Sequence, residues 1–189
     1  NIFLLPKDRV RIISHHLAHA ASTFYTSGFK KSAILIVDGN GSDLETTSYF
    51  EGNNFKINLI ENFKYYGLGA LYNAISTRIL NMGTGGEGKT MGLAPYGKKY
   101  RNLGIKIPYY SKGIVNDFSE FMERMPFSDI LNQINPKYRV DPISINYRTA
   151  KKKNDVLKSY FSGTAYNLQD TLEKVIIKLA QDLYDKTKI

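Results

Sequence analysis

The apolar positions along the chain predict three helices. Over residues 163–184 they recur every three or four residues, which is typical of a helix with one buried face. Residues 70–80 repeat this pattern over a shorter stretch. A third helix is predicted over 14–25, with Ser14 as its N-cap and Gly28 as the residue that stops it. The two apolar stripes consist of Leu71, Ala74, Ile75 and Ile79, and of Ala165, Leu168, Leu172, Val175, Ile176, Leu179 and Leu183.

Runs of β-branched and aliphatic residues predict a small sheet. Residues 33–37 form a continuous apolar run, the pattern of a strand covered on both faces. A glycine turn leads to a returning strand over 46–50, and residues 55–60 alternate like a half-exposed third strand. Residues 2–5 and 10–13 also have the composition of short strands. We therefore expect an α/β protein, an α+β arrangement whose mixed sheet contains an antiparallel meander.

Glycine is concentrated in residues 83–97, where six glycines occur in 15 residues. We expect no regular element there and a close approach of the backbone to a ligand. From 103 to 149 the sequence predicts only short strands and a small helix at 116–124, and residues 151–153 indicate a hinge or a surface loop. No chemistry stands out in this later region.

All three histidines of the chain lie within five residues. On a helix, His15 and His19 are four residues apart and lie on one face, where two imidazoles can hold one divalent metal ion. His16 points about 100° away from His15 on such a helix and is expected to serve another purpose. A packed helix with incidental histidines is the competing interpretation, but the clustering favours a binding site.

Asp38 is the next candidate ligand, because it places a carboxylate at the tip of a predicted strand, directly before a glycine turn. Such a carboxylate can bind a metal ion, and the amides of its turn, formed by Gly39, Asn40 and Gly41, can orient a nucleotide phosphate. An ordinary hairpin turn is the alternative. Beside the histidine pair, Asp38 completes a set of two imidazoles and a carboxylate that suits iron(II), with manganese and zinc as alternatives.

Residues 83–90 match the P-loop pattern of glycine, four residues, glycine, lysine and threonine. We reject this interpretation, because a predicted helix and not a buried strand leads into the segment. Glu87 and Lys89 are still candidates for a phosphate pocket, as is the backbone at Gly92, against the alternative of a solvated loop. The sequence assigns no catalytic side chain.

The formal net charge of +9 raises the question of anionic partners. Much of the excess lies in two runs, 98–101 and 148–153, and lysine outnumbers arginine, so we do not expect a nucleic-acid partner. The absence of cysteine excludes disulfides and thiolate metal sites and fits a cytoplasmic protein. No apolar run approaches the roughly 20 residues that span a bilayer, so no membrane partner is expected. Because the chain begins at Asn1 and ends directly after a helical pattern, we expect a portion of a longer protein.

Four motifs together resemble the NodU-type O-carbamoyltransferases, which include nodulation-factor and antibiotic carbamoyltransferases. In the order and spacing of that family, they are His-His-Leu-Ala-His-Ala-Ala-Ser at 15–22, Val-Asp-Gly-Asn-Gly at 37–41, Thr-Thr-Ser at 46–48 and Met-Gly-Leu-Ala-Pro-Tyr-Gly at 91–97. The first and last motifs are highly specific, whereas the glycine turn alone is not. The resemblance covers about residues 11–185 and is weak over 100–160.

This resemblance implies a Kae1-like domain of the actin, sugar-kinase and heat-shock ATPase superfold. It implies that His15, His19 and Asp38 bind iron(II), or another divalent metal, beside ATP. Family members move a carbamoyl group from carbamoyl phosphate, through a carbamoyl-adenylate, to a hydroxyl of a sugar or another small molecule, and a homodimer would be compatible with this. The residues assigned to nucleotide or carbamoyl-phosphate binding are Gly39, Asn40, Gly41, Glu87, Lys89 and Gly92.

The resemblance also indicates what this chain does not contain. The family's N-terminal strand segment, second nucleotide-binding lobe and YrdC-like domain have no counterpart here. Residues 1–189 would thus be an internal portion of the domain, inactive alone, with 98–160 an insertion or connecting segment. Residues 42–45 replace the acidic residue that usually follows the glycine turn directly. The alternatives are a tRNA threonylcarbamoyltransferase-like protein and a catalytically inactive Kae1-like binding module.

Overall fold

The computed structural model of the protein combines helices with a small sheet. It describes residues 9–64, 67–105, 107, 110–111, 114–115 and 155–189. The mixed α/β class is confirmed, and the larger sheet in these ranges is antiparallel throughout, while the superfold stays a prediction. In chain order the elements are α1 (His15–Ser27), β1 (Lys31–Val37), β2 (Glu45–Asn53), β3 (Lys56–Lys64), α2 (Leu68–Ala74) with a π-helical continuation (Ile75–Ile79), α3 (Glu87–Leu93) with a 3-10 continuation (Ala94–Tyr100), β4 (Tyr110–Ser111), β5 (Ile114–Val115) and α4 (Asp155–Thr187).

Strands β1, β2 and β3 form an antiparallel meander in that order, as the sequence predicts. In the register between β1 and β2, Ile34 lies opposite Phe50. Strand β1 is covered on both faces: Ile34 and Ile36 pack with side chains of α1, while Leu35 and Val37 pack against the main core. The prediction of a doubly covered strand is therefore confirmed.

Helix α1 has the N-cap and the stop that its sequence predicts, although it continues two residues beyond Tyr25. The Ser14 side chain accepts a hydrogen bond from the Leu17 amide at 3.4 Å, and Gly28 ends the helix with a φ of 78°. One face is buried against β1 and β2, so the face that carries His15 and His19 is turned outward. The buried residues, spaced four apart, are His16, Ala20 and Phe24.

Helix α4 covers the opposite side of β1 and supplies much of the main core. It begins at Asp155, earlier than predicted, and Tyr160 and Phe161 in its first part are buried. The predicted stripe is buried except for Leu172, which is half-buried, and Ile176, which is 37% exposed. Although α4 has 33 residues, neither it nor any other helix in the described ranges is apolar enough to cross a lipid bilayer.

The prediction that residues 83–97 contain no regular element is wrong. Helix α3 and its 3-10 continuation occupy most of the segment. The reason is tertiary anchoring, because Thr90 and Leu93 are buried in the main body of the protein. Their burial offsets the low helix propensity of Gly88 and Gly92, which costs about 1 kcal/mol per glycine.

The glycines after α3 allow close packing within the protein. A Cβ atom at Gly97 would lie 1.8 Å from the carbonyl oxygen of Ser162 on α4. A Cβ atom at Gly104 would lie 2.3 Å from the carbonyl carbon of Gly163 on the same helix. The expected approach of the backbone to a ligand is therefore wrong at Gly97, where the backbone approaches α4 instead.

The prediction of a strand over 10–13 is also wrong. These residues form no regular element, and Ile12 is 94% exposed. A strand requires a neighbour to pair its backbone groups, and none of the described strands lies beside this segment. The elements predicted at 2–5, 116–124 and 151–153 lie outside the described residues.

Candidate metal centre

The exposed face of α1 brings two imidazoles together. The Nε2 atoms of His15 and His19 are 3.0 Å apart. Their rings meet edge to face, with centroids 4.5 Å apart. The two side chains are 43% and 50% exposed, so both imidazoles are accessible from solvent.

Asp38 directs its carboxylate at both imidazoles from the end of β1. Its Oδ2 atom lies 2.7 Å from His15 Nε2 and 3.3 Å from His19 Nε2. The three ligand atoms all lie within 4.8 Å of one another. The packing of α1 against β1 brings these residues together from separate parts of the chain.

The backbone around Asp38 fixes the position of its carboxylate. The Asp38 amide donates to the Thr46 carbonyl at 2.9 Å, and the Gly39 amide donates to Oδ1 at 2.6 Å. Partial burial acts to raise the pKa of Asp38, but hydrogen bonds from His15 and Gly39 outweigh it and hold the pKa below its usual value. The carboxylate is therefore ionised at neutral pH, as a metal ligand must be.

Gly69 lets helix α2 approach the turn that follows Asp38. A Cβ atom at Gly69 would lie 2.8 Å from both the Asp38 carbonyl oxygen and the Gly39 nitrogen. Any side chain there would push the turn away from α2. The sequence patterns did not reveal this role, and the one signal was a glycine directly before the predicted helix over 70–80.

His16 points away from the cluster, as its position on the helix predicts. It is 1% exposed, and its Nδ1 atom lies 2.6 Å from Ser48 Oγ on β2. Burial lowers the pKa of His16, although the nearby Glu45 acts in the opposite direction. His16 thus belongs to the contact between α1 and the sheet.

Glu45 is a buried carboxylate near the centre that sequence analysis did not assign. It is 3% exposed, and its Oε2 atom accepts a hydrogen bond from the Asp43 amide at 2.6 Å. Burial acts to raise the pKa of Glu45, but its own amide and that of Asp43 contribute to holding the pKa below its usual value. The only signal in the sequence was that an acidic residue, Glu45, stands at the end of 42–45 and not directly after the glycine turn.

The residues predicted to bind nucleotide or carbamoyl phosphate lie in two groups. Gly39, Asn40 and Gly41 form the turn after β1, whereas the other three residues lie on α3. Within the turn, the Gly39 amide donates to the Asp38 carboxylate and the Gly41 amide donates to the Glu45 carbonyl at 2.7 Å. Two of the three amides of the turn are therefore already used within the protein.

On α3 the two charged candidates also have partners. Glu87 accepts a hydrogen bond from the Asn73 side chain on α2. Lys89 Nζ donates to the Met82 carbonyl at 3.1 Å and keeps further N–H groups for an anion. At Gly92 a Cβ atom would meet none of the described residues within 4 Å, so no contact with them requires glycine there.

The donors of the centre fit a divalent cation. Imidazole nitrogen and carboxylate oxygen together suit iron(II), manganese and zinc. A contribution to folding stability explains the convergence of these donors poorly, because an exposed ion pair contributes at most about 1 kcal/mol. A cation held by His15, His19 and Asp38 would be accessible to a substrate, since all three side chains are at least one third exposed.

Comparisons with known proteins agree with the sequence motifs. The model of the family described as Carbamoyltransferase N-terminus matches residues 4–189. The chain is 28% identical over 170 residues to Nodulation protein NolNO of Sinorhizobium fredii and 26% identical over 166 residues to Nodulation protein NolO of Bradyrhizobium diazoefficiens. It is 30% identical over 174 residues to an uncharacterised protein of Synechocystis. These alignments cover 89%, 87% and 91% of the chain but only 22%, 27% and 27% of the respective relatives.

Proposed function

This chain belongs to the carbamoyltransferase N-terminus family, and from that premise we propose that it forms part of the active site of an O-carbamoyltransferase. The reaction transfers a carbamoyl group from carbamoyl phosphate, through a carbamoyl-adenylate made with ATP, to a hydroxyl of a sugar or another small molecule. The observation that carries the proposal is the convergence of His15, His19 and Asp38 at one exposed point. The chain spans about a quarter of the relatives it matches, so the complete activity belongs to a longer protein in this proposal.

In this proposal the three converging side chains hold iron(II) or another divalent cation. A cation bound there would supply a Lewis acid for the carbamoyl carbonyl and for the negative charge that develops on its oxygen. The protein contributes a carboxylate that is ionised in advance, because hydrogen bonds from His15 and Gly39 lower the pKa of Asp38. The three side chains already converge, so that less ordering is needed when a ligand binds.

We assign the anionic substrates to the turn after β1 and to α3. Asn40 is the residue of the turn whose amide we assign to a phosphate, because the amides of Gly39 and Gly41 donate elsewhere. Lys89 adds a positive charge from α3 while its Nζ atom keeps its hydrogen bond to the Met82 carbonyl. Glu87 and Gly92 complete the proposed contacts.

The transfer itself needs an activated donor. A carbamate carbonyl is a poor electrophile, and joining it to AMP as a mixed anhydride provides a good leaving group. The acceptor oxygen forms a bond to the carbamoyl carbon, the bond from that carbon to the phosphate oxygen breaks, and AMP leaves. The hydroxyl proton passes to a base that we do not assign.

The test uses the whole protein that carries this sequence, with iron(II), carbamoyl phosphate, ATP and a panel of sugars. Mass spectrometry detects carbamoylated products, and AMP release gives the rate. We expect Asp38→Asn to lower the rate on the order of a hundredfold or more. The matched control is Asp43→Asn, five residues along the same loop, which should keep the rate within about twofold of wild type.

Three outcomes would contradict the proposal. Equal rates for Asp38→Asn and its control would remove the role of the centre. Specific threonylcarbamoylation of tRNA would favour that rival activity, and the absence of any metal or nucleotide binding would favour an inactive binding module. We also expect the 189-residue chain alone to be inactive, and steady turnover of carbamoyl phosphate by it would contradict this.

A further inference from the structure

The side chain of Glu45 is packed into the turn that carries Asp38. A Cβ atom at Gly41 would lie 2.3 Å from the Glu45 Oε1 atom, so the carboxylate lies directly against the Gly41 backbone. Its Oε2 atom accepts the Asp43 amide at 2.6 Å, and the Gly41 amide donates to the Glu45 carbonyl. Glu45 therefore contacts two residues of the loop between β1 and β2, Gly41 and Asp43.

The same carboxylate reaches the first turn of α1. The backbone amide of His16, in the first turn of α1, acts to lower the pKa of Glu45, and Glu45 acts to raise the pKa of the His16 imidazole, so the carboxylate lies close to the start of α1. The first amides of a helix have no partner within the helix and carry a partial positive charge. The buried carboxylate of Glu45 thus lies between the start of α1 and the loop that carries Asp38.

An irregularity in β2 makes this placement feasible. Along β2, Tyr49 lies in the main core and Phe50 lies in the cluster under α1, so the two faces alternate as in a regular strand. Regular alternation would place Glu45 on the same face as Tyr49, away from α1. The register between β2 and β3 shifts between Glu45 and Thr47, and such a bulge re-aims a side chain.

The buried carboxylate is not well explained by stability. The Glu45 Oε1 atom has no hydrogen-bond partner among the described residues, although it is inaccessible to solvent. An unsatisfied buried polar atom costs about 1–3 kcal/mol. A role beyond packing would account for keeping a charged group at this position.

We propose that Glu45 is a positioning residue of the candidate metal centre, which fixes the loop carrying Asp38 against the helix carrying His15 and His19. This inference rests on the proposed cation site. The ligand atoms come from two separate elements, so their spacing depends on what joins those elements. Partners outside the ligand set commonly change metal affinity by about 10–100-fold when they are removed.

The test measures binding of manganese(II) to the whole protein that carries this sequence, by titration well below the unfolding temperature. We expect Glu45→Gln to weaken binding about tenfold, because the neutral amide no longer attracts the amides of the loop and of α1. The matched control is Glu51→Gln, on the same strand, where the carboxylate pairs with Lys31 at 3.4 Å. The control should change the affinity less than about twofold.

A second variant moves the carboxylate without changing any charge. In Gly41→Ala the added methyl group would occupy the space of the Glu45 carboxylate, and the backbone at Gly41 is not in the left-handed region. We expect a loss of affinity similar to that of Glu45→Gln, in a protein that melts as one cooperative unit. If both variants bind manganese(II) as tightly as wild type, the positioning role is overturned.

A double-variant cycle separates positioning from a general electrostatic effect. Because Glu45 acts through Asp38, Glu45→Gln should have little further effect in an Asp38→Asn background. An equal loss in both backgrounds would overturn the inference. The His15→Ala, His19→Ala double variant tests the cation site itself. If this variant binds manganese(II) as tightly as wild type, the proposed cation site is contradicted. If this variant loses binding while the Glu45 and Gly41 variants keep it, only the positioning role is contradicted.

Discussion

Two regions of this protein have sequences that suggest a ligand, and the structure treats them differently. On the exposed face of α1, the polar side chains of His15 and His19 meet the carboxylate of Asp38 where solvent can reach all three. In the glycine-rich segment, the backbone at Gly97 instead packs against α4, and the atoms nearest to a Cβ at Gly97 are the carbonyl atoms of Ser162. The first region leaves its ligand atoms accessible, whereas at Gly97 the second region packs against another helix.

The difference shows which local signal points to function. Glycine permits a close backbone approach, but it does not specify whether the neighbour is a ligand or another helix. Exposed imidazoles beside a carboxylate gain little stability from one another, so their convergence needs another explanation. Converging exposed donors are therefore the stronger indication of a site in this fold.

The largest expected effect concerns the contact between the glycine-rich segment and α4. We expect Gly97→Ala to lower the free energy of unfolding by about 3 kcal/mol, because the new Cβ atom would overlap the Ser162 carbonyl at 1.8 Å and force the backbones apart. Chemical denaturation measures this change. The matched control is Gly88→Ala on α3, where no described residue lies within 4 Å of the added Cβ atom and a gain of up to about 1 kcal/mol is expected. Wild-type stability in Gly97→Ala would contradict the close contact.

The second expected effect concerns the accessible centre on α1. We expect the His15→Ala, His19→Ala double variant to lose at least about a hundredfold in manganese(II) affinity, since two of three ligands are removed. Its free energy of unfolding should change by no more than about 1 kcal/mol, because both side chains are 43% or more exposed. Titration and denaturation of the same sample give both numbers. A large loss of stability with unchanged binding would show that these histidines are structural.

The smallest effect concerns His16, which lies on the same helix but belongs to the packed side. Burial lowers its pKa below the ordinary 6.5, so the unfolded chain takes up the proton at a higher pH than the folded protein does. The stability that neutral His16 contributes is therefore present above about pH 6.5 and lost as the pH falls through the lower pKa of the folded state.

We expect wild type to lose stability relative to His16→Asn as the pH falls from about 7.5 to 5.5. Asparagine places a polar atom near the position of Nδ1, so a contact with Ser48 is retained in the comparison. Denaturation curves over this range of pH measure the difference. A constant difference would show that the protonation of His16 is not coupled to folding.

Local patterns were sufficient for most individual elements. The cap at Ser14, the stop at Gly28 and the apolar run of β1 each depend on residues close in sequence, and the structure has them where they were predicted. The prediction of a strand over 10–13 was wrong for the converse reason. Its composition favours a strand, but no described strand lies beside it to pair with.

By itself the sequence determined the helices α1, α2 and α4, the meander of β1, β2 and β3, which helix face carries His15 and His19, and that a carboxylate follows β1. These are consequences of local periodicity and of the motifs that identify the family. Only the tertiary structure decided that the glycine-rich segment is helical and packs against α4, and that Glu45 lies buried between a loop and a helix. The physical reason is that both depend on contacts between residues far apart in the chain, including a bulge in β2, and no local pattern encodes the neighbour that such a residue will meet.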